Sequence, residues 1–250
     1  MNDYLSHHGV QGQKWGIRNG PPYPIEDKVL RKGTKLNSVS GKYNKSKKYL
    51  ESGKWMYTYR PDEKWDSKVY KGPFSYYCMR RGARFIKEHQ FEVVKDLKMP
   101  TKTERIDEFE NLIKDPLVGS IAKSEIQNVQ KQLVAYNVGG DKIKNFDVNK
   151  IKSKKDINTA YEIFNHAMES VHRNVSTMEY ARRMAQKYDA MVDDNNQGIY
   201  NETHDPIIIF KANQVLKEVA KPTNVSYSEM EQNFEEVQKE LNKKGKNVML

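Results

Sequence analysis

The densest collection of groups able to do chemistry lies near the C-terminal end of the chain. The loop before the apolar run Ile207-Ile208-Ile209-Phe210 carries Asp193, Asp194, Glu202, His204 and Asp205. Polar groups delivered to the lip of a central strand are what a site needs. A solvated loop contains the same residue types, so the loop alone does not define one. Other reactive residues are sparse. His7 and His8 are adjacent but have no cysteine or acidic partner at ligand spacing, so packing or hydrogen bonding explains them better than a metal does. The single cysteine, Cys78, has no obvious histidine partner for thiol chemistry and excludes an internal disulfide. No zinc-ligand set occurs, and neither does a phosphate-cradling glycine loop or a dinucleotide fingerprint.

The elements around the acidic loop are legible from residue type. The β-branched run 207–210 is unbroken, as a strand covered on both faces should be. Pro206 fits only at its start, where a missing N–H costs least. Lys187–Val192 reads as a helix end followed by a short strand. Earlier, Val29, Leu36 and Val39 predict one or two strands around Gly33, and residues 54–59 a strand rich in aromatics. Residues 68–77 lead into a strand or short helix, residues 80–89 form a short helix, and residues 90–97 form a strand that Pro100 ends.

A helical block follows. Thr101 and Glu104 form a capping box before Ile106, Phe109 and Ile113. A second stripe, Ala122, Ile126, Val129, Leu133 and Tyr136, stops at Gly139-Gly140. Residues 145–155 read as a linker. A third stripe holds Ile157, Tyr161, Phe164, Met168 and Val171. A fourth, capped by Ser176 with Glu179, holds Ala181, Met184, Ala185 and Tyr188. Residues 215–219 read as a short helical turn. Ser226 with Glu229 caps a last helix whose face is Met230, Phe234, Val237 and Leu241, and Pro222 before it leaves that helix free to lie apart. Strands, then helices, then strands predict an α+β fold: a mixed sheet interrupted by a helical block. The domain organisation expected is an extended arm over 1–25, an α+β body over 26–221 and a C-terminal helix over 222–250.

The 250 residues suffice for a large core. A net charge of +10 permits contact with a polyanion. The basic residues are scattered, so DNA contact, if any, is expected to be non-specific and salt-sensitive. No apolar run approaches the ~20 residues of a bilayer span, and the N-terminus lacks a signal-peptide core, so a soluble chain without membrane contact is expected.

The arm carries the more specific resemblance. It reads His7-His8-Gly9-Val10-Gln11-Gly12-Gln13-Lys14-Trp15-Gly16-Ile17-Arg18, followed by Tyr23. Its glycines and prolines deny it a helix or regular strand, while its aromatics suit docking. The segment resembles a short module of tailed-phage and prophage proteins encoded among head and packaging genes. That resemblance implies a virion-associated protein, present in the virion and in the host cytoplasm during assembly. Its partners would be other phage structural proteins, met through His7, His8, Lys14, Trp15, Arg18 and Tyr23.

The body shows a second resemblance. Arg31-Lys32-Gly33-Thr34 on an early strand and residues 188–210 late in the chain look like the ADP-ribosyltransferase toxin scaffold. The resemblance implies that Arg31 would hold NAD and that Glu202 or Asp205 would stabilise an oxocarbenium-like transition state. It also implies that strand 207–210 lies next to the strand of Arg31. The family's Ser-Thr-Ser motif is replaced by the earlier Ser38-Val39-Ser40, and its paired Glu-x-Glu is broken at Glu202-Thr203-His204. The expectation is a structural protein of the virion that needs no cofactor. The alternative is a phage-encoded transferase, active or degenerate, that uses NAD on a host protein.

Overall fold

The computed structural model describes residues 28–42, 55–61, 64–166, 174–193 and 206–245. The body is α+β, with a helical block between early and late strands. Every strand pairing among the described residues is antiparallel, where a mixed sheet was expected.

One interrupted long-range hairpin, its arms joined through residues 43–84 and not through a turn, forms the backbone of the early half. β1 (Val29–Leu30) and β2 (Lys35–Lys42) run against β5 (Leu97–Lys98) and β4 (Phe85–Val93). Val29 faces Lys98 before the break, Lys35 faces Glu92 after it, and the register does not slip between them. Gly33, at φ 86°, turns the chain in the break, and its N–H donates to the Val93 carbonyl at 2.8 Å. Residues 85–89 belong to β4 and not to the helix expected there. Their Lys and Glu favour a helix locally, but pairing with Gly41, Ser40, Val39 and Ser38 overrides that weak preference.

Four short late strands complete the sheets. β6 (Ala190–Val192) and β3 (Met56–Thr58) flank β7 (Ile207–Ile209), which is therefore central, as its residues predict. β8 (Leu216–Glu218) and β9 (Thr223–Asn224) pair with β4. Residues 216–218 are thus strand, and only α8 (Ala212–Val215) before them is helical. A backbone pair, Asn37 with Tyr59, joins the two sheets at one corner through N···O distances of 2.8 and 2.9 Å.

Alternation along β7 explains the layering. Ile208 and Phe210 enter a cluster with Phe109, Leu112, Ile126, Leu133, Phe164 and Tyr180. Ile207 and Ile209 point the other way, into a second cluster with Leu36, Phe91, Val93 and Leu97 of the hairpin. The opposite face of the hairpin, through Val39 and Ile86, enters a third cluster with Tyr59, Val69, Tyr70, Val237 and Leu241. The order across the body is therefore helices, sheet, sheet, helices.

The helices on the first face are α3 (Lys102–Lys114), α4 (Gly119–Ala135), α6 (Lys154–Asn165) and α7 (Val175–Lys187), with a short α5 (Gly140–Lys144). Thr101 and Glu104 form the predicted capping box. Ser153 and Asp156 form a second, so that α6 starts at Lys154, before the end of the stretch 145–155 read as a linker. α4 ends at Ala135, and Asn137, at φ 56°, is the left-handed residue that stops it, two positions before the glycines expected to do so. There the Val138 N–H donates to the Leu133 carbonyl at 2.8 Å and the Asn137 N–H to Val134 at 3.1 Å, the Schellman pattern. Ser176 does not cap α7; Asn174 stands at that position. Glu125 of α4 takes the N–H groups of Val175 and Ser176 at 3.0 and 3.2 Å, and a carboxylate suits a helix N-terminus.

On the other face, α1 (Lys64–Val69), a π-helical turn (Tyr70–Phe74) and α2 (Ser75–Arg80) follow one another. Pro73 lies inside the turn. Its missing N–H interrupts the α-helical ladder there. The last helix, α9 (Tyr227–Lys243), does not lie apart but packs on this turn, with Val237 and Leu241 buried. Its N-cap Ser226 accepts from the Glu229 N–H at 3.1 Å, as its sequence predicts. No helix among the described residues is long and apolar enough to cross a membrane.

Candidate functional site

Neighbouring residues of β4 point to opposite faces of the sheet, and two of them carry buried polar networks. Glu88 faces the third cluster. Its Oε1 accepts from the Asn37 Nδ2 at 2.8 Å and from the Tyr59 hydroxyl at 2.5 Å, and its Oε2 lies 3.0 Å from the Lys71 Nζ. Lys71 also reaches Glu229 of α9 at 3.3 Å. Burial alone would raise the Glu88 pKa, but hydrogen bonds from Tyr59, Asn37 and Lys71 outweigh it and hold the carboxyl below its ordinary value. Burial, then the charge of Glu88 and the hydrogen bond to it, push the Tyr59 hydroxyl well above its ordinary range. Burial works against the Lys71 ammonium, yet its two carboxylate partners raise its pKa. The Tyr59 ring stacks on Tyr70 with centroids 4.4 Å apart. The network ties β2, β3, β4, the π-helical turn and α9 together.

His89, the next residue, faces the second cluster. Its Nε2 lies 2.7 Å from the Ser40 hydroxyl, and its Nδ1 lies 2.8 Å from Glu218 Oε1. The ring is parallel to Phe91, 3° between planes, at 5.9 Å. His89 is 6% exposed. Ser40 is half-buried near the C-terminal end of β2, and Glu218 lies on β8. A serine, an imidazole and a carboxylate thus form one chain across three strands.

The residues singled out in the sequence are placed differently. Arg31 sits in the break after β1 and pairs with Asp96 at 3.0 Å, its opposite number in the hairpin register. Asp96 also accepts from the Lys32 N–H at 2.8 Å; this bond, with Arg31, lowers its pKa. The neighbours of β7 are β3 and β6, whereas β1 pairs with β5, so the expected adjacency of strand 207–210 to the strand of Arg31 is not found. The cause is the hairpin register, which gives β1 its partner in β5 and leaves the start of β6 hydrogen-bonded to Lys98 beyond it. Asp193 is buried at the end of β6, where the Asn165 Nδ2 donates to it at 2.7 Å. It is a structural acceptor that closes the β6–β7 pair, helped by its own N–H donating to the Pro206 carbonyl at 2.9 Å. Asp194, Glu202, His204 and Asp205 lie outside the described residues, as do His7, His8, Lys14, Trp15, Arg18 and Tyr23.

His89, Glu218, Glu88 and Tyr59 were not singled out from sequence. Ser40 was noted only as part of a poor motif match. The usable signal was Lys87-Glu88-His89-Gln90, four polar residues inside an apolar strand pattern, which becomes informative only once 85–93 is read as a strand. Among the described residues, no group of three or more His, Cys, Asp or Glu is arranged to hold a metal.

His166, the cap of α6, is 6% exposed, and its Nδ1 meets no hydrogen-bond partner among the described residues. Burial pushes its pKa from 6.5 down to about 4, against a small opposing pull from Glu162. The unfolded chain then binds a proton between these values that the folded chain does not. Stability contributed by the neutral ring is present above the ordinary histidine pKa and is lost as the pH falls toward 4. Urea unfolding should show a decline of about 3 kcal/mol over that window, and His166→Leu should flatten the part due to this ring. An unchanged slope in the variant would assign the decline to other groups.

No family model, curated protein or solved structure matches this chain.

Proposed function

We propose that the chain is a virion-associated structural protein of a tailed phage, and that its N-terminal arm docks on a capsid, portal or neck partner. The resemblance of residues 7–18 to the phage head-region module supports this reading. The observation that carries it in the body is that residues 30–241 supply three buried clusters from their own side chains. A body with its own core is what a separate docking arm requires. Aromatic anchors usually dominate interface energy, so Trp15→Ala should weaken docking by about 2 kcal/mol or more. Deletion of residues 1–25 should leave the urea transition of the body in place and remove the protein from purified particles. Unfolding of the truncated body, or its undiminished entry into particles, would overturn the reading.

A second reading, a phage-encoded ADP-ribosyltransferase, is favoured by one observation. β7 is central, and Asp193 and Pro206, which flank the acidic residues 194–205 in sequence, are hydrogen-bonded to each other at its lip. Arg31 pairs with Asp96 in the hairpin break. Transfer of label from NAD to a host protein would favour this reading over the structural one, and incubation of the purified chain with host extract is the test.

A further inference from the structure

We propose that Ser40, His89 and Glu218 form a serine-nucleophile site that hydrolyses carboxylic esters. The proposal stands apart from the docking arm and does not depend on it. The geometry places each group in a role. The Ser40 hydroxyl is 2.7 Å from Nε2 of His89, within reach of a general base. Glu218 is 2.8 Å from Nδ1, which fixes the tautomer that leaves the Nε2 lone pair toward the serine. Stacking on Phe91 holds the plane of the ring.

A second serine on the same strand shows what a structural hydroxyl does in this sheet. Ser38 is 1% exposed and donates to the Tyr57 backbone carbonyl at 2.5 Å. Ser40 instead meets an imidazole that a carboxylate orients from the far side, and it is half-buried where Ser38 is fully buried. Lys87 stands directly opposite Ser40, and Asn224 directly opposite Lys87. Opposed residues share a face of the sheet. A lysine and an asparagine therefore share the nucleophile's face of the sheet.

The chemistry balances without a cofactor. The Ser40 oxygen bonds to the ester carbonyl carbon while its proton passes to His89 Nε2. The carbon–oxygen bond to the alcohol breaks, and the alcohol leaves with that proton. Water then attacks the acyl-serine, His89 takes its proton and returns it to Ser40, and the carboxylic acid departs.

The test uses the full chain with p-nitrophenyl acetate and with a fluorophosphonate probe. With the probe, the Ser40 oxygen bonds to phosphorus, fluoride leaves, and the proton goes to His89. Peptide mapping should find the adduct on Ser40 of the folded protein. Ser40→Ala should lose the adduct and at least about 10³-fold of ester turnover. His89→Gln disturbs a buried ring, so Glu218→Gln, at a half-exposed position, is the cleaner second variant. It should fold with an unchanged urea midpoint, lose about 10²-fold or more in kcat, and show an altered pH–rate profile. Absence of an adduct on the folded protein, an adduct on another residue, or turnover that survives Ser40→Ala would overturn the proposal.

Discussion

Glu88→Ala lowers the stability of the body by about 3–5 kcal/mol, the range for removing one member of a buried charged network. The loss comes from the groups left behind. Tyr59 and Asn37 both donate to the same carboxylate oxygen, and both are buried. Neither can recover water without opening the corner where the two sheets join. Lys71 keeps Glu229 at 3.3 Å, so its charge is not orphaned, and the estimate stays within that range. Tyr59→Phe should cost far less, about 1 kcal/mol, because it removes one donor and leaves the carboxylate two others. Acid should act in the same direction as the alanine variant. The folded carboxyl holds its pKa below the ordinary 4.5, so its contribution is full above that value and is lost as the pH falls through the folded value. Urea titrations of wild type, Glu88→Ala and Tyr59→Phe at neutral pH read the difference directly. A loss below about 1 kcal/mol for Glu88→Ala would mean that water reaches the network.

The parts of the fold that sequence reveals are those in which one local rule acts alone. The run 207–209 has β-branched residues and a proline at its lip, and it is the central, doubly covered strand that such a run should be. The stripes of α3 and α4, the Ile157, Tyr161 and Phe164 part of the stripe on α6, and the capping residues Thr101 and Ser226 are similarly local, while Met168 and Val171 of that third stripe lie outside the described residues. The errors arise where a distant partner decides. Residues 85–89 carry helix-favouring side chains, yet β2 lies beside them and offers an unbroken ladder. Ser176 and Glu179 fit a capping box by spacing, but Glu125 from another helix occupies that N-terminus, and Glu179 turns to Arg182 and Arg183. Those arginines, with Arg182 foremost, hold the Glu179 pKa at about 2.

The candidate site was less legible than the fold for the same reason. Ser40, His89 and Glu218 are separated by 49 and 129 positions and meet only through the register of three strands. No periodicity links them. Arg31 shows the opposite case, a residue whose neighbours in sequence suggested a role that its register partner does not support. Asp96 stands across from it in the hairpin, and an exposed pair of this kind is a surface contact of small energetic weight.

Gly72→Ala is expected to destabilise the protein by about 3 kcal/mol or more, although alanine is the better helix former. The gain in propensity is at most about 1 kcal/mol. Against it stands a backbone collision. A Cβ on Gly72 would lie 2.6 Å from the Phe234 nitrogen and 2.7 Å from the Asn233 carbonyl carbon of α9. Neither atom belongs to a flexible side chain, so the helix itself must move. Moving it disturbs Val237 and Leu241, both fully buried in the third cluster. Exposing even one such side chain costs about 1.5–3 kcal/mol, and the contacts of Lys68 with Glu236 and Lys71 with Glu229 span the same interface. Gly33→Ala separates this effect from generic glycine strain. Gly33 has φ +86° but nothing within 4 Å of its added carbon, so that variant should lose only about 1–2 kcal/mol through backbone conformation. Urea unfolding of both variants, with limited proteolysis of the segment before α9, distinguishes them. Gly72→Ala should expose that segment to cleavage and Gly33→Ala should not. A Gly72→Ala protein as stable as wild type would mean that α9 is free to slide, and the close approach of the π-helical turn to its backbone would then not be what fixes the helix in place.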